Sequence, residues 1–375
     1  MSSLTVQAHG ANIDTWKKKF DLSGSKILDF SASLNPLGPP GAIKKLLRDN
    51  FHLAANYPQD YSQSAREKIA QRAGIGKSSL LITNGSIEAI YLTSRLMTKK
   101  LSLIVTPTFS EYERAIKMNG GRCLYFNTTQ QNGFRLNIDR LAKKIPGRGA
   151  LFICNPNNPT GTTLAREDLF YLAKKCAREN AILVVDEAFI DFLDEPAKAS
   201  LLEYRPNHKN IIVLGSLTKF FALAGLRIGY ITAHKKMINR LSKFCFPWAV
   251  NSLAQDTVIS VISETDYINR TRTFIKKEKD FLFKKLSEIG QITPFYPSVN
   301  FILCRINNKK INSKGLFTKL ARQGIFIRDC SNFRGLNNSY FRVAVKTRRE
   351  NKRLLYALKN ILTNHTYAVC AMHTA

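Results

Sequence analysis

Short apolar runs recur through the first two thirds of the chain, at residues 80–83, 101–105, 122–126, 150–154, 181–185, 211–214 and 228–232. They are too short for buried helices and rich in branched side chains, so they read as core strands. Between them, apolar positions returning every three to four residues predict helices near 62–73 and 87–97, another ending at 118, and one over 166–180. Such alternation predicts an α/β fold with a mostly parallel seven-stranded sheet and helices on both faces. Earlier, a helix-like run at 13–20 and a short strand at 27–30 lead into a Pro/Gly loop over 31–40, where Pro39 or Pro40 opens the next helix. After Pro247 the pattern changes to one long helical region, 251–289. Strands at 298–304, 325–328 and 340–345 follow, as in a smaller α+β domain. The expected division is an N-terminal arm with part of the small domain (1–47), a large domain (48–246) and a C-terminal small domain (247–375).

The formal charge of +30 raises the question of nucleic acid. The basic residues are nevertheless spread over the whole chain, as in Lys17-Lys18-Lys19, Lys99-Lys100, Lys276-Lys277 and Arg348-Arg349, with no basic tail or aromatic-interleaved stripe. Solvated helix faces account for most of them, with a share in steering small dianions toward a cleft. Neither a nucleic-acid nor a membrane partner is expected, since the chain has no apolar run of membrane-spanning length. Its N-terminus has no signal-peptide pattern. Seven scattered cysteines, several inside expected strands, indicate reduced thiols and a cytoplasmic location. His365, Cys370 and His373 are spaced as metal ligands could be, but a frayed terminus explains them and no metal is expected.

The candidate chemistry lies at strand ends. Lys219 follows the apolar run 211–214, with Ser216 before it and Arg227 after it. A lysine there is either an exposed turn residue or one used chemically, since burying its cation is costly. Its available chemistry is an imine with a carbonyl, and pyridoxal phosphate is the common protein-bound aldehyde. Ser216 and Arg227 would then flank it as phosphate ligands. Asn84-Gly85-Ser86 joins a strand to a helix start, where free N–H groups and the helix dipole favour an anion. Asp186 closes an apolar strand and needs a cationic partner, which a protonated pyridine nitrogen supplies. Asn158 can donate to the ring's phenolic oxygen, and Phe109 can cover the ring face. In parallel sheets, ligands sit beyond the carboxyl ends of strands, and these residues all fall there.

Asn158-Pro159-Thr160-Gly161, Asp186-Glu187-Ala188 and Ser216-x-x-Lys219 with Arg227 resemble the fold-type I pyridoxal-phosphate enzymes of the aspartate aminotransferase superfamily, over about residues 25 to 362. Within it, His9-Gly10 with Asn12, the 28–40 segment, the Phe189-Ile190-Asp191-Phe192 run and residues 324–336 resemble the threonine-phosphate decarboxylases of the cobalamin pathway. Histidinol-phosphate aminotransferases are the alternative, but they usually carry tyrosine where Phe189 stands. The resemblance implies Lys219 as Schiff-base lysine, Asp186 on the pyridine nitrogen and Asn158 on the phenolic oxygen and facing the substrate. Gly85, Ser86, Ile87, Ser216 and Arg227 would hold the cofactor phosphate, and Phe109 would stack. Tyr57 is similar to the tyrosine that reaches that phosphate across a homodimer interface. Arg328 and Arg342 would clamp the substrate's anions, with His9, Gly10 and Asn35 closing over it. The implied activity is decarboxylation of a phosphorylated amino acid, threonine phosphate or serine phosphate. A basic binding protein without chemistry is the remaining reading, and the intact Lys219, Asp186 and Arg227 oppose it.

Overall fold

The computed structural model describes residues 10–59, 62–202, 208–308 and 310–363. Its strands begin with β1 (Leu28–Asp29). The large sheet then takes β2 (Leu80–Asn84), β3 (Leu101–Thr106), β4 (Arg122–Asn127), β5 (Ala150–Cys154), β6 (Ile182–Asp186), β7 (Ile211–Ser216) and β8 (Ile228–Ala233). Their order is β2-β8-β7-β6-β5-β3-β4. Strands β5 to β8 are buried along their whole length. Strand alternation sends Phe152, Val184 and Ile212 to one face, where Ile90 and Ile116 of two helices meet them. Leu151, Leu183 and Val213 go to the other, against Leu169 and Leu172 of the helix Arg166–Arg178.

The expected seven strands are present, with one reversed. Strand β8 runs antiparallel to both β2 and β7. Only residues 217–227 separate it from β7, and a parallel return needs a crossover of about a dozen residues or more. The reversal matters for the site. It brings the start of β8, and therefore Arg227, to the edge where the other strands end.

The second sheet contains β9 (Ile292–Phe295), β10 (Phe301–Ile306), β12 (Arg328–Asp329) and β13 (Tyr340–Ala344), antiparallel in the order β12-β13-β10-β9. Strand β9 was not expected because it contains Pro294, which is tolerated at a sheet edge. Strand β11 (Ile325–Phe326) pairs in parallel with β1, and the Ala344 N–H donates to the Phe30 carbonyl at 2.9 Å. The chain at 28–30 is thus stitched to the C-terminal sheet. The long helical region expected over 251–289 consists of two helices, Ser252–Val261 and Thr265–Ser287. Arg72 takes the Ile262 carbonyl at the break, at 2.6 Å. Among the described residues no helix is long and apolar enough to cross a membrane, and the six described cysteines are free thiols. No group of three metal-ligating side chains occurs among them; His365, Cys370 and His373 lie outside the described residues.

Candidate active site

A cavity of about 290 Å³ opens at the carboxyl edge of the large sheet, bounded on its far side by the second sheet. Ser86, Ile87, Phe109, Asn158, Asp186, Lys219 and Arg227 line it from the large sheet's strand ends. Gly10, Arg328 and Arg342 line it from the opposite side. Residues from very different places in the sequence therefore converge on one space.

Each is held by local structure. Asp186 ends β6, nearly buried, and accepts the Tyr112 hydroxyl at 2.7 Å and the Ala188 N–H at 2.9 Å. Burial raises its pKa, opposed by those two hydrogen bonds and by Lys219. Lys219 shows the reverse: burial first, then the neighbouring Arg227 and Arg342, lower its amine to about 8, with Asp186 opposing. A pKa of about 8 leaves a minor but far larger fraction of the amine neutral and nucleophilic near physiological pH than an ordinary lysine has. Reductive methylation by formaldehyde, followed by peptide mass spectrometry, should label Lys219 half-maximally near pH 8. Exposed lysines should follow at about pH 10.4.

Two glycines shape the anion end. Gly85 has φ +75, and a Cβ there would lie 2.4 Å from Arg227 Nη2. A Cβ on Gly229, paired across the sheet with Ser216, would lie 2.5 Å from the Ser86 N. The backbone N–H groups at the start of the helix Gly85–Ser94 are thereby packed close to the Arg227 guanidinium. Ser216 itself is buried behind the cavity wall, its hydroxyl 2.8 Å from that of Thr218, which does line the cavity.

The two arginines face each other across strands, Arg328 of β12 paired with Arg342 of β13, and both are buried. Arg342 donates Nη1 to Asn158 Oδ1 and Nη2 to the Ser31 carbonyl at 2.9 Å. Burial, aided by Arg328, lowers its pKa to about 10. Its Nε has no hydrogen-bond partner, nor has the Ser33 hydroxyl in the cavity wall. Both are buried donors with capacity to bind an acceptor.

Several expected residues stand elsewhere. Asn35, expected to close over substrate, does not line the cavity. Its side-chain Nδ2 lies 2.8–2.9 Å from the Phe220 carbonyl, Tyr267 Oη and Thr271 Oγ1, which share its two N–H donors, and its backbone N–H donates to the Lys219 carbonyl at 3.1 Å. With its donors engaged there, Asn35 braces the backbone that carries Lys219. Tyr57 is 81% exposed against the Trp248 ring, away from this chain's cavity. His9 lies outside the described residues. Tyr112, Cys154, Thr218 and Phe333 line the cavity without having been expected there. Phe109 precedes the helix Glu111–Met118, and its ring meets that of Tyr112 edge-on with centroids 5.9 Å apart.

Residues 25–358 match the aminotransferase class I and II family. The chain belongs to this family. It is 33% identical to a threonine-phosphate decarboxylase of Salmonella typhimurium, over 96% of this chain and 98% of that one. Among solved structures, a histidinol-phosphate aminotransferase from Clostridium acetobutylicum superposes with a TM-score of 0.83 at 30% identity, covering 90% of this chain and 100% of that one. An L-threonine-O-3-phosphate decarboxylase from Porphyromonas gingivalis gives 0.80 at 25% identity, with the same coverages. The aminotransferase class I and II family uses pyridoxal phosphate. The cavity suits that cofactor: a lysine with a lowered pKa, a buried carboxylate short of cations, and a glycine-walled anion cradle beside an arginine.

Proposed function

We propose that this chain is a pyridoxal-phosphate-dependent decarboxylase of an O-phosphorylated amino acid, threonine phosphate or serine phosphate, serving cobalamin nucleotide-loop assembly. The observation that carries the reading is the buried pair Arg328 and Arg342 in the cavity that holds Lys219 and Asp186. Two fixed cations suit a substrate with both a carboxylate and a phosphate. Similarity over nearly the full chain to a threonine-phosphate decarboxylase supports it. So does Phe189, a bare ring in the cavity wall where the aminotransferases usually carry tyrosine.

When bound, pyridoxal phosphate supplies an electron sink for the bond broken at the substrate Cα. Asp186 would hold the proton on the pyridine nitrogen, Asn158 would donate to the phenolic oxygen, and Phe109 would cover one ring face. Gly85, Ser86, Ile87, Ser216 and Arg227 would hold the phosphate, and Tyr57 would reach that of the partner in a homodimer. Arg342 and Arg328 would grip the substrate anions beside Gly10 and so orient the substrate for loss of its carboxylate; His9, expected to close over it, lies outside the described residues. Lys219 Nζ would be the group that returns a proton to the substrate Cα once its carboxylate is lost as carbon dioxide. In this reading residues 1–47 form the arm and part of the small domain, 48–246 the large domain and 247–375 the rest of the small domain. The free thiols support a cytoplasmic site of action.

The phosphate requirement tests the reading. CO2 release from threonine phosphate should exceed that from threonine by at least ~10²-fold in kcat/KM, because the shorter substrate leaves a buried arginine unpaired. Equal rates would remove the arginine pair from substrate recognition.

A further inference from the structure

Arg328 is oriented by the residues that follow it. Its Nη1 donates to the Asp329 carbonyl at 2.5 Å, its Nη2 to Asn332 Oδ1 at 2.8 Å, and its guanidinium lies 5.0 Å from the centre of the Phe333 ring. Phe333 itself lines the active-site cavity. The seat of this cation is therefore the loop 330–336, folded by hydrogen bonds from the Phe333 N–H to the Cys330 carbonyl and from the Leu336 N–H to the Phe333 carbonyl. That loop carries one charged side chain, Arg334.

Arg334 leaves the second sheet and grips the first. Its Nε and Nη2 donate to the two carboxylate oxygens of Glu113 at 3.2 and 3.1 Å, and its guanidinium stacks 3.9 Å from the centre of the Tyr125 ring. Glu113 stands on the helix Glu111–Met118 and Tyr125 on β4. Isolated ion pairs at half-exposed positions contribute little. This one is a two-pronged pair on an aromatic face, and Lys117 also donates to Glu113, at 2.5 Å. Burial would raise the Glu113 carboxyl, but hydrogen bonds from Arg334, Lys117 and Tyr125 outweigh it and hold its pKa at about 2. Tyr112, which holds Asp186, is the next residue on the same helix. One rigid element thus ties the loop seating Arg328 to the carboxylate at the cofactor end.

We propose that Arg334 is a positioning residue: its clasp on Glu113 and Tyr125 seats the 330–336 loop and so fixes Arg328 for the substrate anion. The inference rests on the reading of Arg328 as a substrate cation.

The test uses the holoenzyme with Arg334→Ala, Arg334→Lys, Glu113→Gln and the Ala/Gln double variant. Arg334→Ala should raise KM for threonine phosphate about three- to tenfold, with kcat within about twofold. It should speed amide exchange across 330–336 and leave the cofactor absorbance spectrum unchanged. Arg334→Lys should rescue only part of the effect, since it keeps the charge without the planar fork. Glu113→Gln should act in the same direction, and the double variant should be no worse than Arg334→Ala. Unchanged KM and exchange in Arg334→Ala, or effects that add in full, would overturn the proposal. If the wild type decarboxylates no phosphoamino acid, the functional reading fails by itself. Exchange, and the threonine phosphate concentration that perturbs the cofactor spectrum, still decide the clasp.

Discussion

Lys219→Ala should leave a folded protein whose turnover falls by at least about 10⁴-fold, roughly 5 kcal/mol of barrier. The loss has two sources, a missing nucleophile and a missing proton carrier. Both reside in one amine whose pKa is brought to about 8 by burial and by Arg227 and Arg342. Truncation should not unfold the chain. An amine held below its ordinary pKa costs the apoprotein stability as pH falls from the unfolded value through about 8, and that cost vanishes with the side chain. The apo variant should therefore melt at or above the wild-type temperature at pH 7 while remaining inactive at every pH. Wild-type turnover in a well-folded Lys219→Ala protein would remove this residue from the chemistry.

Asp186→Asn should separate stability from activity still more sharply. In the apoprotein the carboxylate is buried with its pKa raised, so its charge lowers stability as pH rises through that raised value. Asparagine occupies the same space. Its Oδ1 still accepts the Ala188 N–H, and its Nδ2 can donate to the Tyr112 hydroxyl. The apo variant should be more heat-stable at neutral pH by about 3 °C. The loaded enzyme should lose about 10²–10³-fold in kcat, because a neutral amide does not hold a proton on a ring nitrogen. Calorimetry of apo protein and kinetics of holo protein check the two halves. A destabilised apo form with normal kcat would mean that Asp186 is only a structural group.

The sheet and its chemistry were legible for a common reason. Strands buried on both faces read as unbroken apolar runs, so polar residues at their ends stand out, as Asp186, Asn158 and Lys219 do. The reversal of β8 was missed because the expected runs 211–214 and 228–232 left room between them for a parallel return, and only the extension of β7 to Ser216 shortens the connection to 217–227. Tyr112 was hidden because a tyrosine on the apolar face of a helix looks like core until its hydroxyl finds Asp186. Asn35 looked like an ordinary loop residue, and only the family resemblance gave it a substrate role; its partners from residues 220, 267 and 271 could not be read from the chain because the fold brings them together. Arg334 was visible as part of a motif but had no role until the fold brought Glu113 beside it, 221 residues away in sequence.

The measurement that bears most directly on the central claim is CO2 release from threonine phosphate by the pyridoxal-phosphate-loaded enzyme with no oxo acid present. Sustained release, with one aminopropanol phosphate formed per CO2, is the expected result, and the rate with serine phosphate then ranks the two substrates. No CO2, but amino transfer from histidinol phosphate once 2-oxoglutarate is added, would contradict the decarboxylase and make the chain an aminotransferase.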